Sequence, residues 1–85
     1  MASYSVLIKP SAAKELEAVP KKDRLRIVRK IQALADNPRP EGCEKLTGRE
    51  QYRLCQGRFR VLYSISEAEQ IVLIVTIAHR KEAYR

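Results

Sequence analysis

Residues 59–66 alternate without interruption, and few architectures accept that pattern. Phe59, Val61, Tyr63 and Ile65 fall on one side, with Arg60, Leu62 and Ser64 on the other. A strand with one wholly apolar face and one mixed face packs the apolar face on the rest of the fold and leaves the covering of the other open. Glu67-Ala68-Glu69 is predicted to turn the chain, and Gln70 to Ala78 follows as a strand apolar on both faces, which places it inside the sheet. Gln51 to Cys55 is a further strand, closed by Gln56-Gly57.

The first half has a different period. Tyr4 to Ile8 is a short strand ended by Lys9-Pro10, and Pro10 suits the first turn of a helix. Ala12, Ala13, Leu16 and Val19 recur at helical spacing until Pro20 breaks the run. From Lys21 to Asp36, Leu25, Val28, Ile31, Leu34 and Ala35 form an apolar stripe that Ile27 widens, and the cations fall mostly outside it. Asn37 to Gly42 is a loop by its prolines and glycine. The predicted order is β-α-α-β-β-β. This is an α+β fold, a helical hairpin on one face of a mostly antiparallel four-stranded sheet, formed by residues 1–85 as one domain. The polar segment from His79 to Arg85 follows the last strand.

Several classes are excluded at this level. Hydrophobic residues make up 45% of the chain, too many for a disordered segment. No run approaches the roughly 18 apolar residues of a membrane span. The N-terminus MASYSVLIKP lacks a basic leader before a long apolar stretch, so no signal peptide is predicted and a soluble, cytoplasmic protein is expected. Cys43 and Cys55 have neither metal-site spacing nor the density of a disulfide scaffold. With a single histidine, no metal-ligand pattern and no glycine-rich phosphate loop, no metal and no cofactor are expected.

Charge is the positive signal. Seventeen Lys and Arg against ten Asp and Glu give a net +7, which attracts polyanions. Arg53 and Arg60 lie within strands, where propensity does not favour them. If their strands form a hairpin across Gly57, the two share the open face, with Arg58 at its end and Arg80 at the end of the neighbouring strand. Such a cluster is either a solvated basic face or a site for an anion. A phosphodiester fits the second reading, because guanidinium groups stabilise the charge that builds on a five-coordinate phosphorus. His79 is the candidate for proton transfer near neutral pH, or a strand-end residue that packs. Glu50 is a candidate base or an exposed turn carboxylate. Tyr84 either stacks on an RNA base or folds back on the sheet. Lys45, Arg49, Arg58 and Lys81 are the candidate substrate-binding cations.

The segments "KLTG…YRL" (Lys45 to Leu54), "GRFRVLYSI" (Gly57 to Ile65) and "IAHRKEAY" (Ile77 to Tyr84) resemble the RelE/ParE toxins of type II toxin–antitoxin systems. The resemblance spans nearly the whole chain, and the last two segments together carry its specificity. It implies an endoribonuclease that cuts mRNA in the ribosomal A site. Arg53 would help activate the 2′-OH, Arg60 would bind the scissile phosphate, Arg80 would support the phosphate or leaving group, and Tyr84 would orient the base. Cys55 stands where some members carry a second lysine, while Glu50 and His79 match an acid–base pair used by others. The implied partners are a RelB-like antitoxin, the ribosome and mRNA. The alternative within the superfamily is a ParE-like poison of DNA gyrase, and a third reading is a basic RNA-binding module or inactivated toxin.

Overall fold

A computed structural model describes residues 3–48 and 50–79. Arg49, Arg80, Lys81 and Tyr84, named above as site candidates, lie outside the described residues.

The chain runs β1 (Ser5–Ile8), α1 (Pro10–Glu17), α2 (Lys21–Ala33), β2 (Glu44–Lys45), β3 (Gln51–Gln56), β4 (Phe59–Ser66) and β5 (Ile71–His79). The α+β class holds, with two helices against a mixed sheet in the order β1-β5-β4-β3-β2. The sheet has five strands where four were expected. The addition is β2, whose two residues pair antiparallel with β3, Glu44 opposite Arg53 and Lys45 opposite Tyr52. A two-residue strand is too short to show a period, so nothing in the sequence marks it. β1 pairs in parallel with β5 from Ser5↔Ile71 to Ile8↔Ile74, and β3, β4 and β5 form an antiparallel meander.

Pro10 opens α1, where its missing N–H costs no hydrogen bond, and Pro20 caps the start of α2. The helical hairpin, with Val19 at its connection and Leu34 just after α2, buries Ala12, Val19, Ile27, Ile31 and Leu34 against Tyr52, Leu54, Val61, Tyr63, Val72, Ile74 and Ile77 of the sheet. α2 is turned so that Ile27, Ile31 and Leu34 face the core. Leu25, expected in the stripe, is instead 52% exposed.

Tyr63 is fully buried, stacks on Tyr52 at 5.7 Å and donates its hydroxyl to the Pro38 carbonyl at 2.8 Å. That bond anchors the loop after α2 to the centre of the sheet. Burial, chiefly, pushes the Tyr63 phenol well above its usual range, so it remains a donor throughout.

β5 contains the fold's one register irregularity against β4: Leu62 pairs with Thr76, but Tyr63 pairs with Ile74. Val75 is therefore the extra residue of a bulge. Val72 and Ile74 point to the core before it and Ile77 after it, which is why this strand looks apolar on both faces. Among the described residues, no helix is long and apolar enough to cross a membrane.

Candidate active site

The site is built on the β3–β4 hairpin. Gly57, with φ at 58°, is the first of two residues in its turn, and Arg58 is not among the positive-φ residues, the pattern of a type II′ turn. That turn fixes the register, Cys55 opposite Arg60 and Arg53 opposite Leu62. Directly opposed residues share a face, so Arg53, Cys55, Arg60 and Leu62 all point away from the helices. Arg53 and Arg60 are diagonal neighbours on that face, at about 7–8 Å. On the other side of β4, Arg60 is opposite Ala78, whose methyl leaves room for the guanidinium.

Arg60 is the one buried charged residue in the described core, with 8% of its surface exposed. Its Nη1 donates to the carbonyls of Phe59 (3.1 Å) and Gly57 (3.3 Å), which holds the head group against the hairpin turn. Arg53 is nearly as enclosed. Its Nη2 donates to Glu44 Oε2 at 2.9 Å, from the residue directly opposite on β2. Glu44, which sequence reasoning missed, thus joins the candidate site through Arg53. Its opposition to Arg53 follows from the pairing of β2 with β3, and β2 shows no strand pattern in the sequence.

Cys55 lies directly opposite Arg60 and two residues along β3 from Arg53 on the same face, and its thiol is free. Arg58 is exposed in the turn itself. Lys45, the last residue of β2, and Glu50, just before β3, face each other at 3.7 Å, the carboxylate 89% exposed. They are not brought to Arg53 and Arg60.

His79 also stands apart. It is opposite Phe59 at the end of β5, edge-on at 5.6 Å, and shares the parity of Ile77. That is the helix-side face of the sheet. There His79, Phe59, Ile77 and Val19 line a cavity of about 300 Å³ with Glu15, whose Oε1 accepts the Ile77 N–H at 3.2 Å. The bulge at Val75 causes this placement, since without it His79 would fall on the arginine face. Among the described residues, no three of His, Cys, Asp and Glu stand together as metal ligands.

The arrangement has a definite chemical capacity. Two guanidinium groups on hydrogen-bonded strands, one of them largely withdrawn from water, offer donors suited to an anion, with little reorganisation needed.

A family model described as the ParE toxin of type II toxin-antitoxin system, parDE, matches residues 6–84. A Methanocaldococcus jannaschii protein that carries the name toxin RelE1 is 29% identical over 86 residues, 96% of each chain. A chain of the archaeal RelE-RelB complex from Pyrococcus horikoshii superposes with a TM-score of 0.84 at 27% identity, covering 92% of this chain and 96% of that one. The isolated E. coli RelE toxin shares the fold, with a TM-score of 0.81 at 22% identity over 96% of this chain and 92% of that one. With the model matched from β1 through the arginine-bearing hairpin and beyond, the chain belongs to the ParE toxin family, and it is a RelE-like toxin of a type II toxin–antitoxin system.

Proposed function

We propose that this toxin is a metal-independent endoribonuclease that cleaves mRNA in the A site of the translating ribosome and so halts translation in the cytoplasm. The observation that carries the reading is the convergence of Arg53 and Arg60 on one face, with Arg60 buried to 8% exposure. In the reaction, the 2′-OH oxygen attacks the adjacent phosphorus and the bond to the 5′-oxygen breaks. The products are a 2′,3′-cyclic phosphate and a 5′-hydroxyl, the departing 5′-oxygen taking up one proton for the one the 2′-OH releases. Arg60 stabilises the charge on the phosphorane oxygens, and Arg53, oriented by Glu44, lies beside the 2′-OH and eases its loss of a proton. Arg80 supports the leaving group and Tyr84 stacks on the base, roles that rest on the family resemblance. Arg58, with Arg49 and Lys81, steers the strand onto this face. His79 faces the helix side of the sheet and Glu50 pairs with Lys45, so this step gives neither of them a role.

The proposed partner of the free toxin is a RelB-like antitoxin with an acidic or amphipathic segment, complementary to the basic face. The archaeal relative at 27% identity was solved with RelB, which supports that reading.

The matching family model carries the ParE name, which favours gyrase poisoning as a second reading. Brief expression of the toxin, with mRNA 5′ ends mapped beside a gyrase supercoiling assay, separates the two. Codon-periodic cuts in translated messages are expected. Intact messages with double-strand DNA breaks would overturn the nuclease reading. Arg60→Ala is expected to abolish growth arrest while its circular dichroism stays native, and full arrest by a folded Arg60→Ala protein would also refute it.

A further inference from the structure

The chain's positive charge is not concentrated on the cutting face. α2 holds Lys21, Lys22, Arg24, Arg26, Arg29 and Lys30 against the single carboxylate of Asp23, most of the net +7 in 13 residues. Two of these cations are engaged at the flanks of the helix, Arg24 with the Glu17 carbonyl at 3.3 Å and Lys30 with the Cys55 carbonyl at 2.9 Å. Lys22, Arg26 and Arg29 are different. All three are exposed, and among the described residues none of their side chains makes a hydrogen bond or ion pair. At about 100° per residue they lie on the side of α2 opposite Ile27, Ile31 and Leu34, rising over about two turns. The exposed Leu25 borders the stripe on the Arg29 side.

Helices cover one face of the sheet, and Arg53 and Arg60 project from the other. The α2 stripe therefore faces away from the proposed cutting site, through the thickness of a molecule with extents of 33 × 27 × 25 Å. A single RNA strand seated on Arg60 does not lie along α2. We infer that Lys22, Arg26 and Arg29 form a second RNA-binding surface, which grips the phosphate backbone of a double-helical RNA segment distinct from the strand being cut.

Three features select this ligand. A row of cations with Asp23 as the one carboxylate on its helix is held at a cost in self-repulsion that a polyphosphate relieves. Neither α1 nor α2 contains an aromatic residue, so the surface offers no platform for unstacked bases and suits backbone contact alone. Leu25 is a single apolar contact without a helical row of anchors around it, which disfavours a docked amphipathic helix. On the ribosomal reading above, the double-helical segment is ribosomal RNA, but backbone binding itself stands without that reading.

The test uses the full chain in an Arg60→Ala background, so that no cutting intervenes, with a labelled RNA duplex of mixed sequence followed by fluorescence anisotropy across a salt series. Arg26→Gln/Arg29→Gln is compared with Lys9→Gln/Lys14→Gln, which removes equal charge from exposed positions at and within α1. Thermal melting verifies that both fold. The α2 pair is expected to flatten the log–log salt dependence by about two and weaken binding roughly tenfold, as loss of two phosphate contacts requires. The α1 pair is expected to change affinity by no more than about twofold. Equal losses in both pairs would reduce the surface to net charge and overturn the proposal, as would a parent protein that fails to bind the duplex. So would an α2 pair that keeps duplex affinity but loses affinity for poly-glutamate, which would mark an acidic-protein surface. These results are independent of mRNA cleavage, so failure of the nuclease reading remains separately visible.

Discussion

Arg60 occupies a position that a strand does not ordinarily give to an arginine, buried at 8% exposure with its Nη1 shared between two carbonyls of the adjoining turn. Charge alone does not explain it, because a lysine also carries one positive charge but presents a single point donor in place of a planar fork. Arg60→Lys is therefore expected to lower ribosome-dependent cleavage by about 10²-fold, the scale of losing one preorganised donor to the transition state. The turn contacts are also lost, at a cost of about 1 kcal/mol in urea unfolding. A lysine variant with parental cleavage would reduce Arg60 to a bulk charge. The sharing of one face by Arg53 and Arg60 was legible in the sequence, since alternation along two strands and a glycine between them settle which residues are co-facial. Glu44 was not. Its role depends on a two-residue strand whose pairing is visible only once the sheet exists.

The β3–β4 hairpin sets the spacing of the two arginines, and its turn depends on Gly57. At φ 58° an L side chain is strained, and a Cβ there meets no atom within 4 Å, so the strain comes from the backbone alone. Gly57→Ala is expected to cost about 1–2 kcal/mol in denaturant unfolding. Cross-strand packing of Leu54 with Val61 and of Tyr52 with Tyr63 keeps the register, so cleavage per folded molecule should stay at the parental level. A variant with native stability would show that the turn relaxes freely, and a large fall in cleavage would show that the turn, rather than packing, aligns the arginines. Two other elements departed from the sequence pattern for physical reasons. In β5 the extra residue Val75 reverses the facing of everything after it and carries His79 to the helix side, and a strand apolar throughout gives no sign of such a bulge. In α2 the apolar residues surround enough of the helix that periodicity allows more than one orientation. Packing chose Ile27 and left Leu25 in solvent.

Across the whole molecule, chain segments far apart in sequence are tied at one polar cluster beside the tyrosine stack. Tyr4, just before β1, donates its hydroxyl to Glu67 Oε2 at 2.6 Å, and Arg39 from the loop after α2 meets Glu67 Oε1 at 2.6 Å. Arg39 also donates from Nε to the Tyr52 hydroxyl at 3.1 Å and lies over that ring. One carboxylate in the β4–β5 turn thus joins the N-terminal strand, the helix-to-sheet loop and, through Arg39, the core aromatic pair. The Tyr4 hydroxyl, and after it Arg39, hold the Glu67 carboxyl below its ordinary value of 4.5. A group whose folded pKa is depressed contributes stability above its unfolded pKa, and the contribution is lost as pH falls through the folded value. Glu67→Gln retains the size of the side chain but not the charge. Its melting temperature is therefore expected to lie below the parent's at pH 7, with the gap closing progressively as the pH drops below about 4.5. Both members are half-exposed, so added salt should narrow the gap at pH 7 as well. A gap that stays constant into acid would mean that shape and hydrogen bonding, rather than the ionised carboxylate, join these segments. Because Glu67 stands at the far end of β4 from Arg60, the same variant should cleave at the parental rate where it is folded, which separates the stability of the toxin from its chemistry.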